Sequence, residues 1–258
     1  VPGLSNGALA ILSDASLVAF SGDQIKALKT SQVAALTTSQ FSVITSTTLR
    51  ALTTSQIAAI EIADLNVLTP DSLSVLQSDQ LQALTATQIA GLTSQQVYDL
   101  STAVISTLST KQIAAIEATD LAVIGVEIFA GFNSAQVRAL NTSQISGLTT
   151  NQLAGLNSSW VSSLSTTQLR SLEATKLNVL DAVSLAAISD AQIVGLTTAQ
   201  IAGLSNSTIE SLNTVAVAAL RTTQIAAITT AQAIALVDAT LTALTSSQIG
   251  ALTTSAVA

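Results

Sequence analysis

The sequence predicts an all-α solenoid: an elongated rod of short capped helices, with one helix in every eight residues. Three observations predict it. An eight-residue phrase returns along the whole chain, as in "LTTSQIAAI" from Leu52, "LSTKQIAAI" from Leu108 and "LTSSQIGAL" from Leu244. Two positions of every phrase are apolar, and the residues between them carry a helix-capping pattern. Repeats of this kind stack so that each unit contacts mainly its neighbours.

The apolar positions keep an unbroken register. We count eight slots in each octad, so that Leu52 is slot one and Ala59 is slot eight. Slot one falls on residue 4 and on every eighth residue to 252, and all 32 of these residues are Leu, Ile or Phe. Slot six runs in the same way from 9 to 257, and all 32 are apolar. We therefore predict one continuous array over residues 1–258, and we expect it to be a piece of a longer chain.

Slots two and five indicate that the unit is a helix. Slot two is Ser, Thr, Asn or Asp in 24 of 32 octads, and slot five is Gln in 17 of 32. This spacing is a capping box, with slot two as N-cap, and it makes slots one and six the two positions of a hydrophobic staple. Pro70 falls in slot three, the first helical position, where proline is tolerated. We predict a helix of roughly six residues in each octad; alone it would be unstable, so it depends on packing.

A second period, seven octads long, runs through the exceptions. One column that lacks the slot-five Gln contains Ala8, Asp64, Asp120 and Lys176. Another contains Trp160. Duplication of a 56-residue block would explain the period, and so would a lateral contact that recurs every seven octads. On the second explanation we expect lateral-contact positions at Asp64, Asp120, Trp160 and Lys176, and at the aromatic Tyr98.

Composition narrows the function. The chain contains no Cys and no His, so thiol chemistry and the usual general base and zinc ligands are absent, and we predict no enzyme activity and no cofactor. Its net charge of −7 disfavours nucleic acid as a partner. Polar residues interrupt every apolar run, so we predict no membrane insertion.

The paired carboxylates of the first column invite a metal site. Glu61 with Asp64, and Glu117 with Asp120, are three residues apart, which would allow a shared calcium ion or proton. In the third copy Glu173 is paired with Lys176, whose positive charge a shared metal site would not tolerate. Acidic side chains near a helix N-terminus are favourable in any case, so we predict no metal site.

The "LTTSQIAAL"-type octads resemble the Ala/Leu/Thr/Gln repeats of very large, adhesin-like bacterial surface proteins that are exported by one-step secretion. The resemblance covers essentially the whole chain. It implies an extracellular or cell-surface location in bacteria and a role that is not enzymatic, and it carries over no functional residue.

These observations favour a structural protein: the stalk of a surface adhesin, or the subunit of an extracellular fibre or sheath. We expect self-association or contact with neighbouring copies. The alternative is a binding module that presents a solenoid face to a polysaccharide or another cell-surface ligand. A minor alternative is an ice-binding surface made of Thr rows, which fits poorly because the slot-two hydroxyls are committed to caps.

Overall fold

Short helices joined by short links form the computed structural model, which describes residues 3–98, 105–236 and 238–256. The chain divides into two compact units, Val1–Ile124 and Gly125–Ala258. Helices of the first unit are Asn6–Ala10, Asp14–Val18, Gly22–Lys26, Thr30–Val33, Thr38–Ser42, Ser46–Ala51, Thr54–Ile57, Ile62–Leu65, Pro70–Ser74, Ser78–Ala83, Ala86–Ala90, Ser94–Tyr98, Thr110–Ala115 and Ala118–Leu121.

The second unit continues the same alternation of helix and short link. Its helices are Val126–Ala130, Ser134–Ala139, Thr142–Gly147, Thr150–Ala154, Ser158–Ser163, Thr166–Arg170, Ala174–Leu177, Ala182–Ala186, Asp190–Val194, Thr198–Gly203, Asn206–Ser211, Thr214–Ala218, Thr222–Ile225, Thr230–Ala235, Asp238–Ala243 and Ser246–Ala256. The prediction of an all-α solenoid with one helix per octad is confirmed.

The caps lie where the sequence predicts them. At the helix Thr54–Ile57, the Thr53 hydroxyl accepts from the Gln56 backbone N–H at 3.3 Å, and the Gln56 Oε1 accepts from the Thr53 N–H at 2.7 Å. Pro70 is the first helical residue after its N-cap, Thr69. Most described helices span four to six residues, as expected for a helix that is restarted in every octad.

Some described helices depart from this pattern. At Glu61, Glu117, Gly125 and Glu173 the N-cap makes no side-chain cap bond. At Lys29, Gln77 and Arg221 the N-cap side chain makes no cap bond, and only the slot-five Gln returns to the N-cap N–H. The last described helix is eleven residues long and continues through Thr253, where the register predicts a new cap. The prediction of one helix per octad is wrong at that position.

Slots one and six form the core. Ile57 in slot six is 0% exposed and Ile60 in the next slot one is 3% exposed, and the same two slots are buried in nearly every described octad. Because each helix has only about one and a half turns, its apolar residues reach a core only by packing against other octads. Burial of slots one and six is therefore what stabilises the helices.

One superhelical turn takes 28 residues, the separation of the Gln56 side chain from the Leu28 carbonyl that it binds. Long-range side-chain hydrogen bonds join residues that are 25 to 31 apart in sequence, such as Arg50 with Val75 and Gln56 with Ile25. The value of 28 lies in the middle of this range. Within each unit one turn of the solenoid therefore contains three and a half octads, a value that the sequence did not predict.

Small residues in slot eight allow these turns to approach closely. A Cβ added at Gly91 would lie 2.5 Å from Ile62 Cγ2, and one added at Gly203 would lie 2.6 Å from Ala174 Cβ. Ile62 and Ala174 each lie on the turn that precedes the glycine. Glycine is needed at these positions for inter-turn packing, since no described glycine has a positive φ.

Candidate functional site

The seam between successive turns is held by glutamine side chains. Gln56 is 2% exposed, and its Nε2 donates to the carbonyl oxygens of Ile25 at 2.9 Å and Leu28 at 2.8 Å. Its Oε1 is already engaged by the capping box with Thr53. One amide thus completes its own helix start and binds two carbonyl oxygens at a helix end of the preceding turn, of which the Ile25 oxygen also accepts from the Leu28 N–H. Buried carbonyl groups at helix ends need such partners.

The same arrangement recurs along both units. We use the term inter-turn glutamine for a slot-five Gln whose Nε2 donates to a main-chain carbonyl oxygen 28 to 31 residues earlier. Others among the described residues include Gln32, Gln40, Gln80, Gln88, Gln96, Gln112, Gln168, Gln192, Gln200, Gln224, Gln232 and Gln248. Sequence reasoning assigned this Gln to the cap alone and missed its second bond.

Asp64 occupies the position of an inter-turn glutamine but has no amide donor. Its carboxylate is 3% exposed and accepts a hydrogen bond from the Thr38 hydroxyl at 2.9 Å. Burial raises the pKa of Asp64 above its usual value; the bond from Thr38 opposes that shift, and the nearby Glu61 charge adds to it. The polarity of the seam is therefore reversed here, because a side chain of the preceding turn donates to slot five.

The two later members of this column differ from each other. Asp120, 4% exposed, accepts from the Ser94 hydroxyl at 2.5 Å, which repeats the arrangement of Asp64. The Lys176 ammonium instead donates to the Ser146 carbonyl oxygen of the preceding turn. Lys176 thus keeps the donor role of an inter-turn glutamine, whereas the two aspartates do not.

An aromatic cluster replaces the glutamine at Trp160. The indole is 2% exposed, and its ring centroid lies 5.6 Å from that of Phe129, which stacks on Phe132 at 4.9 Å. Phe129 and Phe132 occupy the positions, 31 and 28 residues before Trp160, whose carbonyls an inter-turn glutamine would bind. The Trp160 Nε1 is buried and has no hydrogen-bond partner among the described residues.

Tyr98 is the candidate residue that lies at the surface. It is 57% exposed and lines a pocket of about 280 Å³ together with Ser94, Gln95 and Val123. The pocket lies between two successive turns, because Ser94 and Val123 are separated by about one turn of the solenoid. Its lining offers an aromatic ring, an aliphatic side chain and polar groups.

These placements correct part of the lateral-contact hypothesis. Asp64, Asp120 and Trp160 are interior residues that contact the preceding turn of their own unit, so their side chains leave almost no exposed surface for a neighbour. The physical reason is that slot five lies on the seam. A lateral role for Tyr98 and for the partly exposed Lys176 stays a prediction.

Comparison with known families finds a similar repeat in two regions of the chain. The family model described as ALTTAQ repeat matches residues 57–94 and 113–158, and it confirms the similarity to Ala/Leu/Thr/Gln repeats. A comparison with curated proteins gives no match. Of the helices described, none is long and apolar enough to cross a membrane. The described residues also contain no group of three or more His, Cys, Asp or Glu side chains able to hold a metal ion.

Proposed function

We propose, on the premise that this chain contains ALTTAQ repeats, that it is a structural element of the bacterial cell surface. In this role it is the stalk of an adhesin-like protein or the subunit of an extracellular fibre or sheath, and it has no enzymatic activity. In this proposal its role is to form a long structural element from similar octads.

The inter-turn glutamine is the observation that carries this proposal. Each such residue joins one turn to the next, and most use the same two carbonyl positions, as Gln88 does with Ile57 and Ile60 and as Gln224 does with Ile193 and Leu196. A joint of this kind can be repeated without limit because it depends only on the octad register. The stability of such arrays is approximately a sum over units and neighbour interfaces, so added length does not weaken it.

The chemistry of the side chains supports the same proposal. Slot-two hydroxyls are used as caps and slot-five amides as inter-turn donors, which leaves few polar groups to converge on a substrate. The absence of His and Cys in the sequence removes the groups that most often act in acid–base and thiol catalysis. A surface of Thr, Ser and Gln keeps the chain hydrated at low charge.

Hydrodynamics and microscopy test the proposal. In sedimentation velocity at high salt, a length-building element should give a frictional ratio well above that of a globular protein of 26.1 kDa. Negative-stain images should show thin, elongated particles, and antibodies raised against the chain should label intact, unpermeabilised cells. Compact particles, or antigen found only inside cells, would contradict the proposal.

The pocket beside Tyr98 favours a binding module as the second candidate. An exposed aromatic ring flanked by Ser94 and Gln95 offers a stacking surface and polar groups for a neutral polysaccharide. Glycan-array binding that is lost in Tyr98→Ala, and retained in a control such as Tyr98→Phe, would favour this role over a purely structural one.

A further inference from the structure

The length of one superhelical turn converts sequence position into position around the solenoid. Because residues 28 apart lie on successive turns, residues with the same remainder after division by 28 lie on the same side within a unit. We call this remainder the phase. Residues whose phases differ by 14 lie half a turn apart, on opposite sides.

Basic residues are concentrated at one phase. Six of the eight Lys and Arg residues have phases of 25, 26, 27, 1 or 2, which are neighbouring positions because phase 0 follows phase 27. No acidic residue has a phase in this window. These six are Lys26, Lys29, Lys111, Arg138, Arg170 and Arg221, and all six side chains are exposed. They occupy slots two, four and seven, so the octad register alone does not place them together. We call this side the basic face.

Acidic residues are concentrated on the opposite side. Seven of the fifteen Asp and Glu residues have phases of 13 to 15, and no basic residue has a phase between 9 and 21. Of these seven, Glu127, Asp181 and Glu210 are exposed and Asp14 is partly exposed. Asp71, Asp99 and Asp238 share the phase in the sequence. We call this side the acidic face.

Each unit taken by itself carries both faces. In the first unit Lys26, Lys29 and Lys111 lie about half a turn from Asp14. In the second unit Arg138, Arg170 and Arg221 oppose Glu127, Asp181 and Glu210 in the same way. The remaining charges lie between the two faces; Glu61, Glu117 and Glu173, for example, share a phase of 5.

We propose that the basic face of one chain binds the acidic face of a second copy, so that chains assemble side by side. Within the second unit the described exposed residues of the two faces match in number, with Arg138, Arg170 and Arg221 on the basic face and Glu127, Asp181 and Glu210 on the acidic face. Because they lie on opposite sides, every docked copy leaves one basic and one acidic face free. The contact is therefore heterologous and open, and it extends into a sheet or bundle without closing.

A second copy fits these faces better than an unrelated polymer does. A basic face alone would suit an anionic polysaccharide, but the matching acidic face would repel it and would be left without a partner. Each exposed ion pair contributes little by itself, so stable assembly requires many pairs in register along the chain. The inference rests on the proposed structural function and selects the fibre or sheath from its two forms.

The first experiment reverses the charges of one face at a time. Sedimentation velocity and negative-stain microscopy should show lateral assemblies at low salt that dissociate as the screening length falls from about 10 Å at 0.1 M to about 3 Å at 1 M salt. The triple variant Asp14→Lys, Glu127→Lys and Glu210→Lys should be monomeric at low salt. The control Glu61→Lys, Glu117→Lys and Glu173→Lys changes the net charge equally but should still assemble.

Mixing tests complementarity directly. The variant Lys26→Glu, Lys111→Glu and Arg221→Glu should also be monomeric. When it is mixed in equal amounts with the acidic-face variant, mixed assemblies should form, because each reversed face finds its opposite. Thermal unfolding of both variants should match the parent, since all these side chains lie at the surface. A parent chain that stays monomeric at low salt, or assemblies that the acidic-face reversal and its control weaken equally, would overturn the proposal.

A second experiment changes phase without changing charge. One uncharged octad, a copy of Leu52–Ala59, is inserted between Ser163 and Leu164 of the second unit. The bonds of the inter-turn glutamines depend only on slot positions, so the variant should fold. The charged residues after the insertion, however, move around the solenoid by one octad relative to those before it, and one turn contains only three and a half octads. Assembly should fall at least tenfold. Seven inserted copies amount to two whole turns, restore the phase and should restore assembly.

The outcomes separate this inference from the proposed function. If the parent and both insertion variants assemble equally, the phased faces do not direct assembly and the inference falls. If the parent is elongated but monomeric, and dextran sulfate binds it through the basic face, a polyanion is the partner and the inference again falls. Neither result affects the length-building role, which compact particles at high salt would contradict.

Discussion

Replacing Gln56 with Glu isolates the inter-turn bonds from the cap. A carboxylate oxygen still accepts the Thr53 N–H bond of 2.7 Å, so the capping box is preserved. The two Nε2 donors to Ile25 and Leu28 are lost, and a charge is placed at a site that is 2% exposed in the parent. The substitution therefore affects the seam and spares the helix start.

Gln24 provides a matched control. It forms the same capping box with Ser21, with a bond of 2.8 Å to the Ser21 N–H, but its side chain is exposed. Gln24→Glu should change stability by less than about 0.5 kcal/mol, because an added negative charge near a helix N-terminus is mildly favourable.

The expected loss at Gln56 is much larger. Two hydrogen bonds contribute about 1 kcal/mol each, and buried groups left without partners cost about 1–3 kcal/mol. Gln56→Glu should therefore lower the free energy of unfolding by about 3 kcal/mol or more at neutral pH. Burial raises the pKa of the introduced carboxyl in the folded state, so the loss should shrink as the pH falls through that raised pKa, where the group becomes protonated and can donate, and it should be smallest at and below the unfolded pKa of about 4.3.

Urea unfolding followed by circular dichroism at about 222 nm, the helical minimum, measures the difference. Because an array need not unfold in one step, amide hydrogen exchange at Ile57 and Ile60 should be compared in the same variants. Equal losses for Gln56→Glu and Gln24→Glu would refute the reasoning, because they would show that slot five acts only through the cap.

Three further predictions follow from individual contacts. Thr53→Ala should cost about 1 kcal/mol through loss of the cap acceptor, and Thr54→Ala in the first helical position distinctly less; urea titration compares them. Asp64→Gln should gain about 1–2 kcal/mol by restoring an inter-turn donor. In the parent, the free energy of unfolding should fall as the pH rises from 3.8 through the raised pKa of Asp64 in the folded state, because a buried carboxyl group favours folding only while it is protonated. Asp64→Gln should remove this pH dependence. Gly91→Ala should destabilise by about 1–3 kcal/mol, since its Cβ would lie 2.5 Å from the preceding turn, whereas Gly7→Ala, with open space, should stabilise by about 0.5–1 kcal/mol; melting temperatures separate the two.

The octad made the local structure predictable because each of its rules acts within a single repeat. A cap, a staple and an N-terminal proline all depend on spacings that any one octad contains. Thr53, Gln56 and Ile57 could therefore be assigned correctly from sequence alone. Even so, the unbroken helix through Thr253 shows that local rules do not decide every link.

The seam could not be predicted in this way, because its partners lie on different turns and their spacing depends on the number of octads per turn. One signal was nevertheless present. A capping box accepts Glu as readily as Gln, yet slot five contains 17 Gln and no Glu. Exclusive use of the amide indicates that its N–H groups are needed as well, and a donor in slot five implies acceptors on another turn.

The burial of Asp64 and Trp160 follows from the same cause. In the octad pattern these residues are exceptions, and an exception on a uniform rod suggests a surface feature. Once slot five is known to lie on the seam, the exceptions become alternative ways of joining turns: a hydroxyl-to-carboxylate bond at Asp64, and ring stacking on Phe129 at Trp160.

The length of the turn also explains why the second period is seven octads. A turn of 28 residues contains three and a half octads, so an octad that lies on one side returns to that side only after two turns, which is seven octads. Seven is the smallest number of octads that also makes a whole number of turns. Duplication of blocks of another length, such as five or six octads, would preserve the fold, because the seam needs only the slots, but it would scramble the faces. Folding alone does not require a period of seven octads. Binding between the basic face of one chain and the acidic face of its neighbour does require it, because the charged residues must return to the same side of the solenoid.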